Sequence, residues 1–261
     1  MRKAIMAGAM ALVLAGLLWG ASDPWKTKPF MPWDANDLRK VMNDSPWAKL
    51  IEVPATWKPS NDAAVPGNGG LTPQGSSPSP GSSSAAGGRG PAGGGGAMGG
   101  GAVGGPVTAT EAPTASFGVR WSSSRTFRAA ALRSTVQENR VTEADAEKQL
   151  QEPQKYCELA VVGRDMQPFQ GLDEETLKAS TFLVAKKAKQ KVSPESVHID
   201  VGADGKTVQG VTFSFPKTSK TGEATLGADE KEAEFSATVS RVNIKASFDF
   251  AKMEDKNGRD L

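Results

Sequence analysis

Glu232-Ala233-Glu234-Phe235-Ser236-Ala237-Thr238-Val239, then Ser240-Arg241, then Val242-Asn243-Ile244-Lys245-Ala246-Ser247-Phe248-Asp249-Phe250 places an apolar residue at every second position of two adjacent runs. Successive side chains of a strand point to opposite faces, so this alternation predicts two antiparallel strands with one face toward a core and one toward water. Immediately upstream, Val197 to Val201 and Thr207 to Phe215 flank Ala203-Asp204-Gly205, a hairpin signal. Thr181 to Ala185 is β-rich, and Tyr156 to Val162 reads as a strand closed by Gly163. Strands grouped late in the chain predict an α+β fold with an antiparallel-rich sheet and a few short helices.

The helices announce themselves by their caps. In Trp33-Asp34-Ala35-Asn36-Asp37-Leu38, Asp34 can cap, Asp37 stands at the third helical position, and Trp33 and Leu38 occupy the staple positions. A helix over 35–43 follows, with Leu38, Val41 and Met42 as its apolar stripe and Asp44-Ser45-Pro46 as its stop. Lys49 to Val53 then reads as a strand, as does Phe117 to Trp121. Ser122 to Ser124 offer caps for a helix over 125–134, Thr142 opens one over 143–151, and Leu172-Asp173-Glu174-Glu175 opens one over 174–180. The tally is roughly four helices and eight strands.

Around this body the chain divides by composition. Met1-Arg2-Lys3 precedes an apolar run from Ala4 to Trp19, shorter than a membrane span, and small residues through Ser22 suit a signal peptidase. The expected division is a signal peptide over 1–22, a Trp-rich arm over 23–58, a tract over 59–116 and an α+β body over 117–261. The tract holds 17 of the 29 glycines and almost no large apolar side chain, so a disordered Gly/Ser/Pro-rich loop is expected there. Four of six tryptophans, Trp25, Trp33, Trp47 and Trp57, crowd the arm. Exposing them would be unfavourable, so the arm is expected to pack on the body. Localisation is read as exported, periplasmic or extracellular, with no membrane span after signal cleavage.

Charge and counts narrow the chemistry. The 31 Lys and Arg include Arg2 and Lys3; without them 29 basic residues stand against 29 Asp and Glu. A mature chain of zero net charge has little long-range pull on phosphate backbones, so no nucleic-acid partner is expected. A lone histidine, His198, excludes multi-histidine zinc sites, and a lone cysteine, Cys157, cannot form an internal disulfide. Asp200 to Gly205 has two carboxylates and a glycine in calcium-loop order, but Gly202 and Val211 stand where ligands belong, which favours a turn. The acidic run Asp229-Glu230-Lys231-Glu232 reads as a solvated edge, and no cofactor or metal is expected.

Two sets of residues remain as interaction candidates: Trp33 and Trp47 in the arm, and the basic run Lys186, Lys187, Lys189 and Lys191. The lysines read either as a charged guard on a sheet edge or as a dock for an acidic polymer or lipid head group. The arm with Trp33, Asp37 and Ser45-Pro46-Trp47, the glycine-rich tract, and Val119-Arg120-Trp121 before an arginine-bearing helix together resemble a group of exported bacterial proteins that carry no assigned activity. That resemblance implies export and supplies no catalytic or binding residue. The functional expectation is a non-catalytic binding or scaffolding protein of the cell envelope, whose partner is an envelope protein or acidic polymer. The alternative is an envelope hydrolase using paired carboxylates, for which no local signature selects a pair.

Overall fold

A computed structural model describes residues 23–55, 57, 113–219 and 222–261. The expected signal peptide and nearly all of the Gly-rich tract lie outside the described residues. Among the described residues the elements run α1 (Pro24–Thr27), α2 (Ala35–Asn43), β1 (Ala48–Pro54), β2 (Thr114–Trp121), α3 (Arg125–Gln137), α4 (Glu143–Gln151) and β3 (Tyr156–Gly163). They continue through a 3-10 turn at Gln167–Phe169, α5 (Glu174–Ser180), β4 (Thr181–Ala185), β5 (Gln190–Val192), β6 (Ser196–Val201), β7 (Val208–Pro216), β8 (Glu232–Val239) and β9 (Val242–Asp249). A small hairpin of β10 (Glu254–Asp255) and β11 (Gly258–Arg259) completes them.

The fold is α+β with every strand pairing antiparallel: one sheet in the order β1-β2-β3-β7-β6 and a second in the order β5-β4-β8-β9. The opening hairpin pairs Val239 with Val242 across Ser240-Arg241, and its buried positions are the apolar ones, from Ala233 and Phe235 to Ile244 and Phe248. Aromatic edges join the sheets. Phe213 meets Phe235 at 5.5 Å between centroids, and Trp121 meets Phe248 at 5.1 Å in a T-shaped pair. Such pairs add about 0.5–1.5 kcal/mol each beyond area burial.

Side chains of α2 and α3 meet Arg120 of β2. The Arg120 guanidinium donates to Asn43 Oδ1 at 2.9 Å and lies 5.9 Å from the Phe127 ring centroid, and burial lowers its pKa. Gly163, at the end of β3, allows close approach: a Cβ there would stand 2.9 Å from Phe117 Cδ1. On the far side α5 seals the β6 edge, with Glu174 Oε1 accepting from the Val197 backbone N–H at 3.1 Å.

The helix caps form as the sequence predicts. Asp34 accepts from the N–H groups of Asn36 and Asp37 while Asp37 accepts from the Asp34 N–H, a reciprocal box that holds the Asp34 carboxyl below its usual range. Ser124, Thr142 and Asp173 cap α3, α4 and α5. Helix α3 runs three residues past its expected end, to Gln137.

Strand β2 starts at Thr114, inside the stretch expected to belong to the tract. Pairing is the reason: Pro54 registers with Thr114, Val53 with Ala115, and the Ala55 N–H donates to Pro113 O at 2.7 Å. The chain therefore leaves β1 and returns to β2 at adjacent points. Unexpected elements are the four-residue α1, β5 within the basic run, and the β10–β11 hairpin, all too short to carry a periodic signal.

Candidate functional site

Trp33 and Trp47 are 2% and 0% exposed. The Trp33 carbonyl accepts from Arg133 Nε and Gln137 Nε2 on α3, each at 3.2 Å, which ties the start of α2 to the end of α3. The Trp47 indole N–H donates to Asp260 O at 2.8 Å, and its ring meets that of Trp25 edge-on at 5.4 Å. Neither indole faces solvent, so in this fold they act as joints between segments.

Asp260 is the second half of that joint. Its carboxylate accepts from the backbone N–H of Arg125 at 2.6 Å and of Thr126 at 2.8 Å, capping α3 from 134 residues away. Burial raises its pKa against the opposing pull of those N–H donors. One residue thus anchors Trp47, just ahead of β1, through its carbonyl and α3 through its carboxylate.

The basic run forms the turn from β4 into β5, and the acidic run lies against it. Lys186 pairs with Glu234 and Lys187 with Asp229, which raises both lysines through hydrogen bonds to the carboxylates. Glu230, 4% exposed, accepts the backbone N–H of Lys187 at 2.9 Å and of Ala188 at 3.2 Å. Lys191 sits over the Phe182 ring, 3.3 Å from its centroid, and Lys189 holds a φ of 53° at the turn. Two of the four lysines are therefore committed to carboxylates, Glu234 of β8 and Asp229 just before it, and β5 forms the edge of the second sheet.

His198 is exposed on β6, with Nε2 3.1 Å from Asp200 Oδ1. Asp204 closes the β6–β7 turn: Oδ1 accepts the N–H groups of Lys206 and Thr207, each at 2.9 Å, and Oδ2 accepts from the Thr207 hydroxyl. Those donors lower its pKa to about 2. Cys157 is buried and unpaired, and desolvation pushes its thiol up to about 11. Among the described residues no group of three His, Cys, Asp or Glu is placed to hold a metal ion, and no helix is long and apolar enough to cross a membrane.

Concave surface lies elsewhere. A groove of about 750 Å³ opens between the segment from Trp25 to Trp33, the start of α3, one face of α4 and the β10–β11 turn. Its apolar lining comes from Trp25, Phe30, Met31, Trp33, Ala129 and Leu150. The indole N–H groups of Trp25 and Trp33 are buried with no hydrogen-bond acceptor among the described residues. The charged lining is four cations, Lys28, Arg125, Lys148 and Lys256, against two carboxylates, Glu147 and Asp255. Lys28 is held by Asp37 at 3.0 Å, and Asp255 accepts from the backbone N–H and Nδ2 of Asn257.

Sequence reasoning missed this groove because its walls come from four separate stretches. Trp25 and Trp33 were conspicuous in the arm, but Arg125, Lys148 and Lys256 sit among ordinary polar neighbours and carry no local pattern. The chain matches no protein-family model, no curated protein and no solved structure in comparisons with all three.

Proposed function

We propose that the chain is an exported, non-catalytic binding or scaffolding protein of the cell envelope, and that its ligand site is the groove between the Trp25–Trp33 segment and the α3–α4 pair. Export is supported by the positive start and the apolar run from Ala4 to Trp19. The observation that carries the binding reading is the groove itself, about 750 Å³ with an apolar lining and a rim of charged side chains. Concave, mostly apolar sites with a few polar groups are the usual form of a small-ligand site.

The hydrolase reading asks for two converging carboxyls, one poised as an acid. Among the described residues the carboxyl that burial raises is Asp260, and both its oxygens already accept backbone N–H groups of α3. In the groove, Asp255 is engaged by Asn257. Binding is therefore the better supported of the two.

Ala144 lies on the exposed first turn of α4 and lines the groove, so Ala144→Trp fills it without entering the core. Immobilised mature protein should retain an envelope component that the Ala144→Trp protein, melting at the same temperature, releases. Equal retention by both proteins removes the groove from the reading. Recovery of a chain that still begins at Met1 from the cytoplasmic fraction removes export.

A further inference from the structure

We infer that the groove takes a small amphipathic anion, an apolar body carrying one carboxylate or phosphate head, bound as a free monomer. This rests on the groove being the ligand site. Its volume, about 750 Å³, falls within the roughly 300–1,000 Å³ of small-molecule sites, and its opening is bounded by four chain segments.

The apolar lining rules on the body of the ligand. Trp25 and Trp33 are 4% and 2% exposed, so neither presents an open ring face for a sugar or a base to stack on. The Trp25 ring is already met edge-on by Trp47 and overlain by Lys40 at 5.6 Å. What the groove offers is apolar surface from the half-buried Phe30 and Met31 beside Leu150. Against those three side chains a hydrated polar group would lose water without gaining a partner, whereas an alkyl or aryl body gains from each Å² it covers.

The rim rules on the head. Arg125, Lys148 and Lys256 each lack an ion-pair or side-chain hydrogen-bond partner among the described residues, while Lys28 has Asp37. Against them stand Glu147 and the already engaged Asp255. The N–H groups at the start of α3 are held by Asp260, which leaves the side-chain cations to meet an incoming charge. A guanidinium matches carboxylate and phosphate alike through two parallel N–H bonds.

The test uses the full mature chain and reads both calorimetry and intrinsic tryptophan fluorescence, to which Trp25 and Trp33 contribute. Decanoate and decyl phosphate, below their micelle thresholds, should saturate one-to-one and bind about tenfold more tightly than decanol or decyltrimethylammonium, the gain of one charge-assisted hydrogen bond. Lys148→Glu with Lys256→Glu, both exposed, should weaken decanoate about tenfold and change decanol by less than about twofold. Ala144→Trp should abolish binding of all four. A cationic amphiphile that binds as tightly as the anions overturns the proposal, as does an unchanged decanoate affinity in the charge-reversed protein. Binding to anionic vesicles with none to monomers overturns it too, as surface electrostatics alone. If no anion binds while the wild type still retains an envelope component that Ala144→Trp releases, the ligand class fails and the groove stands; loss of both removes the groove.

Discussion

Trp47→Ala is the sharpest probe of how the N-terminal segment and the sheets hold together. The side chain is fully buried, donates to Asp260 O at 2.8 Å and meets Trp25 in a T-shaped pair. Truncating a buried Trp costs about 3–5 kcal/mol in transfer and cavity terms. The unsatisfied Asp260 carbonyl and the lost ring contact add part of a further 1–3 kcal/mol, so about 4–6 kcal/mol is expected in all. For a domain of this size that lowers the melting midpoint by roughly 10–20 °C. Trp47→Phe separates the terms: it keeps most of the apolar area and loses the N–H, for about 1–2 kcal/mol. Urea unfolding followed by circular dichroism reads both variants, and the cycle with Trp25→Ala should leave a coupling of about 1 kcal/mol. A Trp47→Ala midpoint equal to wild type would refute the argument, because no fully buried indole in a shared core can be removed without loss.

Burial that raises the Cys157 thiol to about 11 should keep it silent to Ellman's reagent at pH 8 until the protein is unfolded, and rapid labelling of the native state would contradict that packing. Asp260→Ala should cost about 2–4 kcal/mol by leaving the Arg125 and Thr126 N–H groups without acceptors, read by chemical denaturation. Because the folded carboxyl of Asp260 is raised, its titration stabilises fully below the unfolded value near pH 4 and the contribution fades as pH rises through the folded value. Wild type should thus exceed Asp260→Asn by more at pH 4 than at pH 7, and a gap that widens with pH runs against the burial argument. Lys189→Gly should raise stability by up to about 1 kcal/mol, since φ of 53° strains a residue with a Cβ; a lower midpoint would place the turn's stability elsewhere.

The fold was legible wherever one residue's neighbours in sequence are also its neighbours in space. Caps, staples and strand alternation are of that kind, and Asp34, Thr142 and Asp173 open helices where their side chains can reach the next turn's N–H groups. Strand β5 is the opposite case. Gln190-Lys191-Val192 has little intrinsic reason to extend, and it does so because Leu183, Val184 and Ala185 of β4 present an edge to pair with. The early start of β2 has the same origin, as Thr114 to Ser116 are ordered by pairing with Glu52 to Pro54.

Charge runs mislead for a related reason. Lys186 to Lys191 looks like a free basic patch only while Asp229 to Glu234, more than forty residues on, is read separately. Antiparallel pairing of β4 with β8 lays one run against the other: Lys186 meets Glu234, Lys187 meets Asp229, and Glu230 holds the backbone between them. The patch and the acidic edge are thus two sides of one structural clasp. The groove's cations were invisible for the converse reason, since Arg125, Lys148 and Lys256 are isolated in sequence and become a set only when α3, α4 and the β10–β11 turn converge. The tryptophans that drew attention to the arm supply the wall on which that set is mounted, and the chemistry lies with the plain lysines and arginine facing it.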